Sequence, residues 1–335
     1  MKRYDYNRNI LDVFRIFAAL QVFAGHMLTH FHWAGEAAVY FVRGVPILFA
    51  LCGFLAAKSL DKYTVKEYLK QRAARVLPGF WFCILVNTVL IAAIYRLPSV
   101  KDGAVYLFTQ FFGLNFYTGD WLRGYGVGTP NGVLWTIGVQ IQFFLLAPLI
   151  KKWLGGRSLK TGLSAVAVLT IVSIGIHRAE PYLPSIVGKL IGVTVLPYAY
   201  FLVLGMLTWY HREVLIAALA KVKWYLLSAY VLWKFAEIYL PFPHLLDGVL
   251  YNTVTTLLLV AAIFGFAFEY HWRNRCDLTY GFYLYHMVII NVVVQCGYHT
   301  AGWLLTLLIA AATLVCAYLS QRWIEQPIAK RICKR

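Results

Sequence analysis

The sequence predicts an all-α membrane protein, a polytopic bundle of about ten transmembrane helices that forms one domain over residues 1–335 with no soluble appendage. Composition is the first reason, because 61% of the residues are hydrophobic, only 13% are charged and the mean hydropathy is +0.65. A soluble domain has roughly a quarter of its residues charged. The second reason is a series of apolar runs of about 20 residues, the length that crosses a bilayer as a helix. No linker of low complexity and no internal repeat divides the chain.

Ten segments are candidates to span the membrane. Backbone groups in hydrocarbon need partners within their own segment, so we predict an α-helix for each. The segment 104–118 is too short and too polar to span, and we interpret it as an interfacial or re-entrant part of the long loop 98–132. The ten predicted spans cover roughly residues 10–31, 37–57, 79–97, 133–150, 161–178, 188–210, 223–240, 247–268, 278–297 and 301–323.

The distribution of basic residues predicts the orientation. The net charge is +17, yet the lysines and arginines lie between apolar segments and form no basic stripe with stacking aromatics, which argues against nucleic-acid binding. With a cytoplasmic N-terminus, 23 of them fall on the inside and five on the outside, and Arg15, Arg43 and Lys234 fall within helices. This asymmetry favours both termini in the cytoplasm and an even number of helices.

Two further sequence features narrow the class of protein. The first apolar segment is long, carries Arg15 and lacks a small-residue cleavage site, so we expect it to remain as a membrane helix and not to be removed as a signal peptide. The six cysteines show no CxxC spacing, and four lie inside apolar runs. We therefore interpret them as small buried hydrophobic residues and predict neither a disulfide framework nor a zinc site.

Ionisable side chains in the first helix are candidates for function, because such groups are costly inside a bilayer. Asp12, Arg15 and His26 lie in this segment. Arg15 and His26 are eleven residues apart, which places them on one helix face about 16 Å apart at ~1.5 Å per residue. A cation near the cytoplasmic end of the helix and a base near its outer end suit a ligand with a phosphate-rich end and a long arm that ends in a thioester. The alternative is that Arg15 pairs with Asp12 and snorkels, while His26 lies near the headgroups.

A metal site is the other interpretation of this region. His26 and His30 lie one helical turn apart, and His32 and Glu36 follow. Zinc sites do use such i, i+4 pairs. No HExxH motif occurs, however, and His30 and His32 fall at the end of the segment, so we predict no metal.

Other polar residues lie at or within the predicted spans. Arg72 and Arg75 precede Pro78 at the cytoplasmic entrance to the third span. They are either positive-inside anchors or ligands for donor phosphates, which arginine binds with two hydrogen bonds. Gln140, Gln142 and His286 lie inside the fourth and ninth spans, where a single polar side chain is more often an interhelical hydrogen bond than a catalyst.

Six segments in order resemble the acyltransferase-3 family of integral-membrane O-acyltransferases, and the resemblance covers nearly the whole chain. They are the Arg, ten residues, His signature of LDVFRIFAALQVFAGH, the Cys-Gly-Phe-Leu turn that ends the second helix in VPILFALCGFLAAKSL, the Arg-rich run YLKQRAARVLPGFW, NGVLWTIGVQIQFFLLAPLI with its Leu-Trp-Thr, LTYGFYLYHMVI, and IEQPIAKR with its Glu-x-Pro.

The resemblance implies acyl transfer from acyl-CoA to hydroxyls of cell-surface or exported glycans such as O-antigen, in the bacterial inner membrane. It implies His26 as the catalytic base, Arg15 as its partner, and Arg72 and Arg75 at the donor entrance. We assign supporting or acceptor-binding roles to Asp12, Trp135, Gln140, His286 and Glu325. One departure stands out, since the family commonly has Glu where this chain has Gln140.

The predicted reaction is direct transfer of an acyl group, most simply acetyl. His26 accepts the proton of a sugar hydroxyl as its oxygen attacks the thioester. We predict direct transfer because no Ser or Cys lies near His26 in the sequence to form an acyl-enzyme. We expect no resident cofactor, with acetyl-CoA or another acyl-CoA as co-substrate, a glycan or lipid-linked glycan as acceptor, and no nucleic acid. The alternatives are a transporter or flippase of a glycan precursor, for which we find no inverted repeat, and a structural export partner, which charges within the membrane disfavour.

Overall fold

The computed structural model describes residues 4–32, 41–115, 117–239, 248–272 and 276–333, and the regular secondary structure of this part of the chain is all helical, with no strand. The all-α prediction is confirmed. In chain order the helices are α1 (Leu11–Phe31), α2 (Gly44–Lys62), α3 (Val65–Ile94), α4 (Val100–Phe111), α5 (Leu134–Leu154), α6 (Leu159–Ala179), α7 (Ser185–Gly192), α8 (Ala199–Tyr210), α9 (Arg212–Tyr239), α10 (Gly248–Phe266), α11 (Thr279–Gln295), α12 (Trp303–Ser320) and α13 (Gln326–Ile332), and a π-helical turn, Gln321–Glu325, joins the last two.

The described helices make this a multi-pass membrane protein. Seven are long and apolar enough to cross a bilayer, and the count rises to eight if the bent pair Ser185–Gly192 and Leu196–Tyr210 forms one span. Each of the ten predicted segments contains α-helix in its described part, but the segment 188–210 is broken between α7 and α8, and α11 has only 17 residues. The number of ten spans and the orientation of the termini stay predictions. Residues 37–40 of the second predicted span and six of the basic residues counted for orientation lie outside the described residues: Lys2, Arg3, Arg273, Arg275, Lys334 and Arg335.

Two local predictions differ from the structure. The third helix begins at Val65, not near residue 79, and runs through Pro78 to Ile94. Proline removes one backbone donor, but its φ is compatible with a helix, and the residues before it are good helix formers. The sequence Cys52–Leu55 is not a turn at the end of a helix, because it lies in the middle of α2. The segment around 104–118 does contain a short helix, α4, in agreement with a non-spanning piece.

The chain divides into two compact units, of which the first comprises Met1–Ala18, Tyr40–Thr64 and Phe143–Arg275. Within it α2 packs on α8, α6 on α8, and α9 on α10. The contact between α2 and α8 is made backbone to backbone: a Cβ at Gly53 would lie 2.0 Å from the Leu202 carbonyl oxygen, and one at Gly205 would lie 2.0 Å from that of Ala50. Small residues at such crossings let membrane helices approach closely.

The second unit comprises Ala19–Val39, Val65–Gln142 and Cys276–Arg335. Within it α11 packs on α3 and on α12, while the π-helical turn and α13 pack on α3. Gly281 lies directly against Ala317, which sets the close approach of α11 and α12. Most of the candidate site residues fall in this unit: His26, Arg72, Arg75, Trp135, Gln140, His286 and Glu325.

Candidate active site

Two histidines that are far apart in the sequence meet inside the second unit. His26 lies in the C-terminal half of α1 and is half-buried, whereas His286 lies in the middle of α11 and is 0% exposed. Their ring centroids are 5.3 Å apart, with the planes tilted by 39°. His30, one turn after His26, stacks on it at 5.6 Å with nearly parallel planes. The structure therefore joins two residues that the sequence marked separately.

Aromatic rings pack around His286. Phe23 meets the His286 ring edge-on at 6.1 Å, and Tyr283 does so at 5.9 Å. The Tyr283 hydroxyl lies 3.0 Å from the Thr136 hydroxyl, which itself donates to the Val133 carbonyl. Because the Thr136 proton is engaged there, Tyr283 donates to Thr136. This bond ties α11 to the first turn of α5, next to Trp135, which is half-buried.

The loop that precedes α5 is fastened to the same helices by amide side chains. Asn131 donates to the Leu284 carbonyl at 3.0 Å, and Asn87 donates to the Pro130 carbonyl at 3.0 Å. Asn291 accepts from the Val127 amide at 2.9 Å and donates to the Pro130 carbonyl at 2.9 Å. These amides hold the irregular backbone of residues 127–131 where water is scarce. None of these asparagines was predicted as a site residue, although Asn87 and Asn291, like Gln140, are amides within apolar segments and carried the same signal.

The first unit holds the other two polar residues of α1. Arg15 lies 3.0 Å from the Asp12 carboxylate, and their side chains are 26% and 37% exposed. This is the i, i+3 pair that the sequence analysis gave as its alternative. Each partner neutralises the other, which lowers the cost of a charge in the membrane.

The two arginines near Pro78 are on a helix and not in a loop. Arg72 is half-buried with its guanidinium 5.5 Å from the centre of the Tyr68 ring, whereas Arg75 is exposed. The described residues show no ion pair for Arg75. Its five donors are therefore available to an anion at this end of α3.

Glu325 of the π-helical turn lies against α3 one turn beyond Arg75. Its carboxylate accepts a hydrogen bond of 2.8 Å from Ser320. A Cβ at Gly79 would lie 3.0 Å from that carboxylate and 3.0 Å from the Tyr280 ring, and the Tyr280 hydroxyl donates to the Val76 carbonyl at 2.8 Å. The residue that follows Pro78 must therefore be small, and the closing Glu-x-Pro segment packs on the Arg-rich helix.

Gln140 is half-buried in α5, and its amide makes no hydrogen bond to another residue of the described chain. The metal interpretation finds no support among the described residues, which contain no cluster of three or more potential ligands. His26 and His30 are stacked and do not converge on a common point. Glu36, the fourth residue of that interpretation, lies outside the described residues.

A profile described as an acyltransferase domain, that of the acyltransferase-3 family, matches residues 8–322. The chain belongs to the acyltransferase-3 family. It is 24% identical over 360 aligned positions to nodulation protein 10 of Rhizobium leguminosarum, covering 97% of this chain and 94% of that protein. It is also 24% identical to the peptidoglycan O-acetyltransferase OatA of Listeria monocytogenes, covering 96% of this chain and 55% of that protein. No solved structure matches the chain.

The family match spans segments of both units, including α1, α3, α5 and α11.

Proposed function

We propose that this protein is an O-acyltransferase of the bacterial inner membrane that moves an acetyl group from acetyl-CoA to a hydroxyl of a cell-surface or exported glycan. The observation that carries the proposal is His26, a half-buried imidazole next to His286 in a chain of this family. The name of the OatA relative supports an acetyl group and a carbohydrate acceptor. The family resemblance supports acyl-CoA as the donor.

The proposed chemistry needs one base. The acceptor hydroxyl loses its proton to the free nitrogen of His26 as its oxygen bonds to the carbonyl carbon of the thioester. The tetrahedral intermediate then collapses, the carbon–sulfur bond breaks, and His26 returns the proton to the departing thiolate. General-base catalysis of this kind contributes typically ~10²–10⁴-fold to the rate.

Direct transfer is favoured over an acyl-enzyme. Cys83 is the fully buried cysteine of the second unit, and its thiol donates to the Leu284 carbonyl at 3.4 Å. A buried thiol that donates to a carbonyl is a poor nucleophile, because the reactive species is the thiolate.

The donor's phosphates are assigned to Arg72 and Arg75. Arg75 is exposed, and Arg72 is held against Tyr68, so an anion at this end of α3 meets one free and one oriented guanidinium. Arginine binds phosphate through two parallel hydrogen bonds, which lysine cannot reproduce. Arg15 takes the role of partner on α1 from the family resemblance alone.

The experiment is transfer of label from radiolabelled acetyl-CoA by membranes from cells with and without the gene. We expect base-labile label in the carbohydrate fraction that depends on the gene, because O-acetyl esters are cleaved by mild base. Mass spectrometry of surface glycans from the two strains should show the matching acetyl groups. Glycans that are acetylated equally in both strains but differ in amount at the surface would instead favour a transporter.

A further inference from the structure

The second imidazole of the site, His286, has one nitrogen engaged and one free. Its Nδ1 lies 3.2 Å from the carbonyl of Phe282, one turn earlier in α11. A carbonyl only accepts, so Nδ1 carries the proton and donates it. In a neutral imidazole this leaves Nε2 with a lone pair and no proton.

This Nε2 is a buried acceptor that has no hydrogen-bond partner among the residues that the structure describes. His286 is 0% exposed. Buried polar atoms in folded proteins are nearly always hydrogen-bonded, so this nitrogen needs a donor.

Among the aromatic rings packed against His286, one can supply that donor. Phe23 and Phe282 carry no polar hydrogen, and the Tyr283 hydroxyl donates to Thr136. The remaining ring packed against His286 is that of His26, whose centroid is 5.3 Å away. Two imidazoles joined by an N–H···N hydrogen bond of ~2.9 Å have centroids about 5 Å apart, so the rings need a rotation but no approach.

We propose that His286 is a positioning residue for His26: its Nε2 accepts the N–H of His26 and so holds the other His26 nitrogen free to take the acceptor's proton. This inference rests on the proposed function. In many enzymes a carboxylate that accepts a hydrogen bond from the catalytic histidine fixes its tautomer and stabilises the imidazolium once it forms. Here the neutral imidazole of His286 takes the place of that carboxylate. No hydrogen bond joins the two rings in this substrate-free structure, and this is consistent with the proposal because catalytic hydrogen bonds are often long before substrate binds.

Two substitutions at position 286, to Asn and to Gln, distinguish loss of the hydrogen-bond acceptor from loss of packing. In His286→Asn the side-chain nitrogen can still donate to the Phe282 carbonyl, but no acceptor remains at the Nε2 position. In His286→Gln the longer amide carries an oxygen close to that position. We expect His286→Asn to lower kcat for acetyl transfer by about 10–100-fold with KM for acetyl-CoA unchanged, and His286→Gln to recover most of that loss.

His177→Asn is the matched control. His177 lies in α6 of the first unit, and its Nδ1 makes the same contact, at 2.8 Å, with the carbonyl of Ser173 one turn earlier. We expect its kcat to stay at the wild-type value. Size-exclusion profiles of the solubilised full-length variants show that each one folds.

The inference is overturned if His286→Asn keeps wild-type kcat, or if the Asn and Gln variants lose kcat equally while remaining folded. Either result, with wild type active and His26→Ala inactive, leaves the proposed function standing. Absence of transfer by wild type would instead sink the proposed function itself.

A spectroscopic measurement avoids any substitution at 286. Isotope-labelled histidine NMR of the solubilised wild-type protein reports the tautomer of each imidazole, and loss of signals in His26→Ala assigns His26. We expect His26 in a single neutral tautomer. An even mixture of its two tautomers would contradict a fixed hydrogen bond to His286.

Discussion

Single residues of the second unit show which part of the site a sequence can predict. Hydropathy and helical spacing marked His26 and His286 as polar groups inside spans, but their contact depends on how α1 and α11 pack. No periodicity along one helix determines which other helix it meets. The Thr136–Tyr283 bond was missed for the same reason. The presence of these histidines within spans is therefore visible in the sequence, and the contact between them is not.

The first prediction concerns Gln140. Its amide makes no hydrogen bond within the described chain, so a carboxylate there would be free to act on a neighbour. Glu is isosteric with Gln but negatively charged, and a nearby negative charge favours a protonated imidazole. We expect Gln140→Glu to raise kcat for acetyl transfer several-fold. Unchanged kcat and unchanged acceptor range would make position 140 a packing contact.

The second prediction concerns Arg72 and Arg75, the arginines proposed to bind the donor phosphates. We expect the double variant Arg72→Lys, Arg75→Lys to raise KM for acetyl-CoA about tenfold, because lysine keeps the charge but loses the planar fork. Arg157→Lys, a conservative change in the segment between α5 and α6, is the control and should leave KM unchanged. Equal KM in all three proteins would leave Arg72 and Arg75 as topology anchors only.

At the scale of elements, apolar length predicted the helices well and their ends less well. Every predicted span contains α-helix where it is described, because a backbone in hydrocarbon must satisfy its own hydrogen bonds, but the span 188–210 is broken between α7 and α8. The start of α3 at Val65 was missed, since Lys66, Arg72 and Arg75 are polar enough to suggest a loop while being good helix formers. The position of Cys52–Leu55 within α2 follows from packing on α8, which the sequence does not display.

The crossing of α2 and α8 gives a prediction about stability. A Cβ at Gly53 would lie 2.0 Å from a backbone oxygen of α8, so the two helices must separate in Gly53→Ala. We expect a loss of about 3 kcal/mol, the upper part of the usual range for overpacked cores, measured as a lower unfolding temperature in detergent. Gly175→Ala in α6 is the control, because its Cβ meets nothing within 4 Å, and it should be neutral or stabilising. Equal unfolding temperatures for the two variants would refute the close crossing.

At the scale of the whole molecule, the charge asymmetry predicts the orientation that the proposed function needs. The proposed donor is cytoplasmic and the proposed acceptor is exported, so the proposed function requires Arg72 and Arg75 to face the cytoplasm. Topology reporters fused at both termini and within 155–158 should report the cytoplasm, and one fused after Leu97 should report the outside. Termini on opposite sides, or a cytoplasmic report after Leu97, would exclude an even number of spans arranged as predicted.

The assignment of His26 as the base of an acetyl transfer is tested by the turnover of purified His26→Ala. The measurement is the initial rate of label transfer from acetyl-CoA to the glycan acceptor, with membrane expression and size-exclusion profile matched to wild type. Removal of the base should lower kcat at least ~100-fold and leave the fold intact, since His26 is half-buried and makes ring contacts only with His30 and His286 among the described residues. A variant that keeps more than about half of the wild-type turnover would contradict the assignment of His26 as the base.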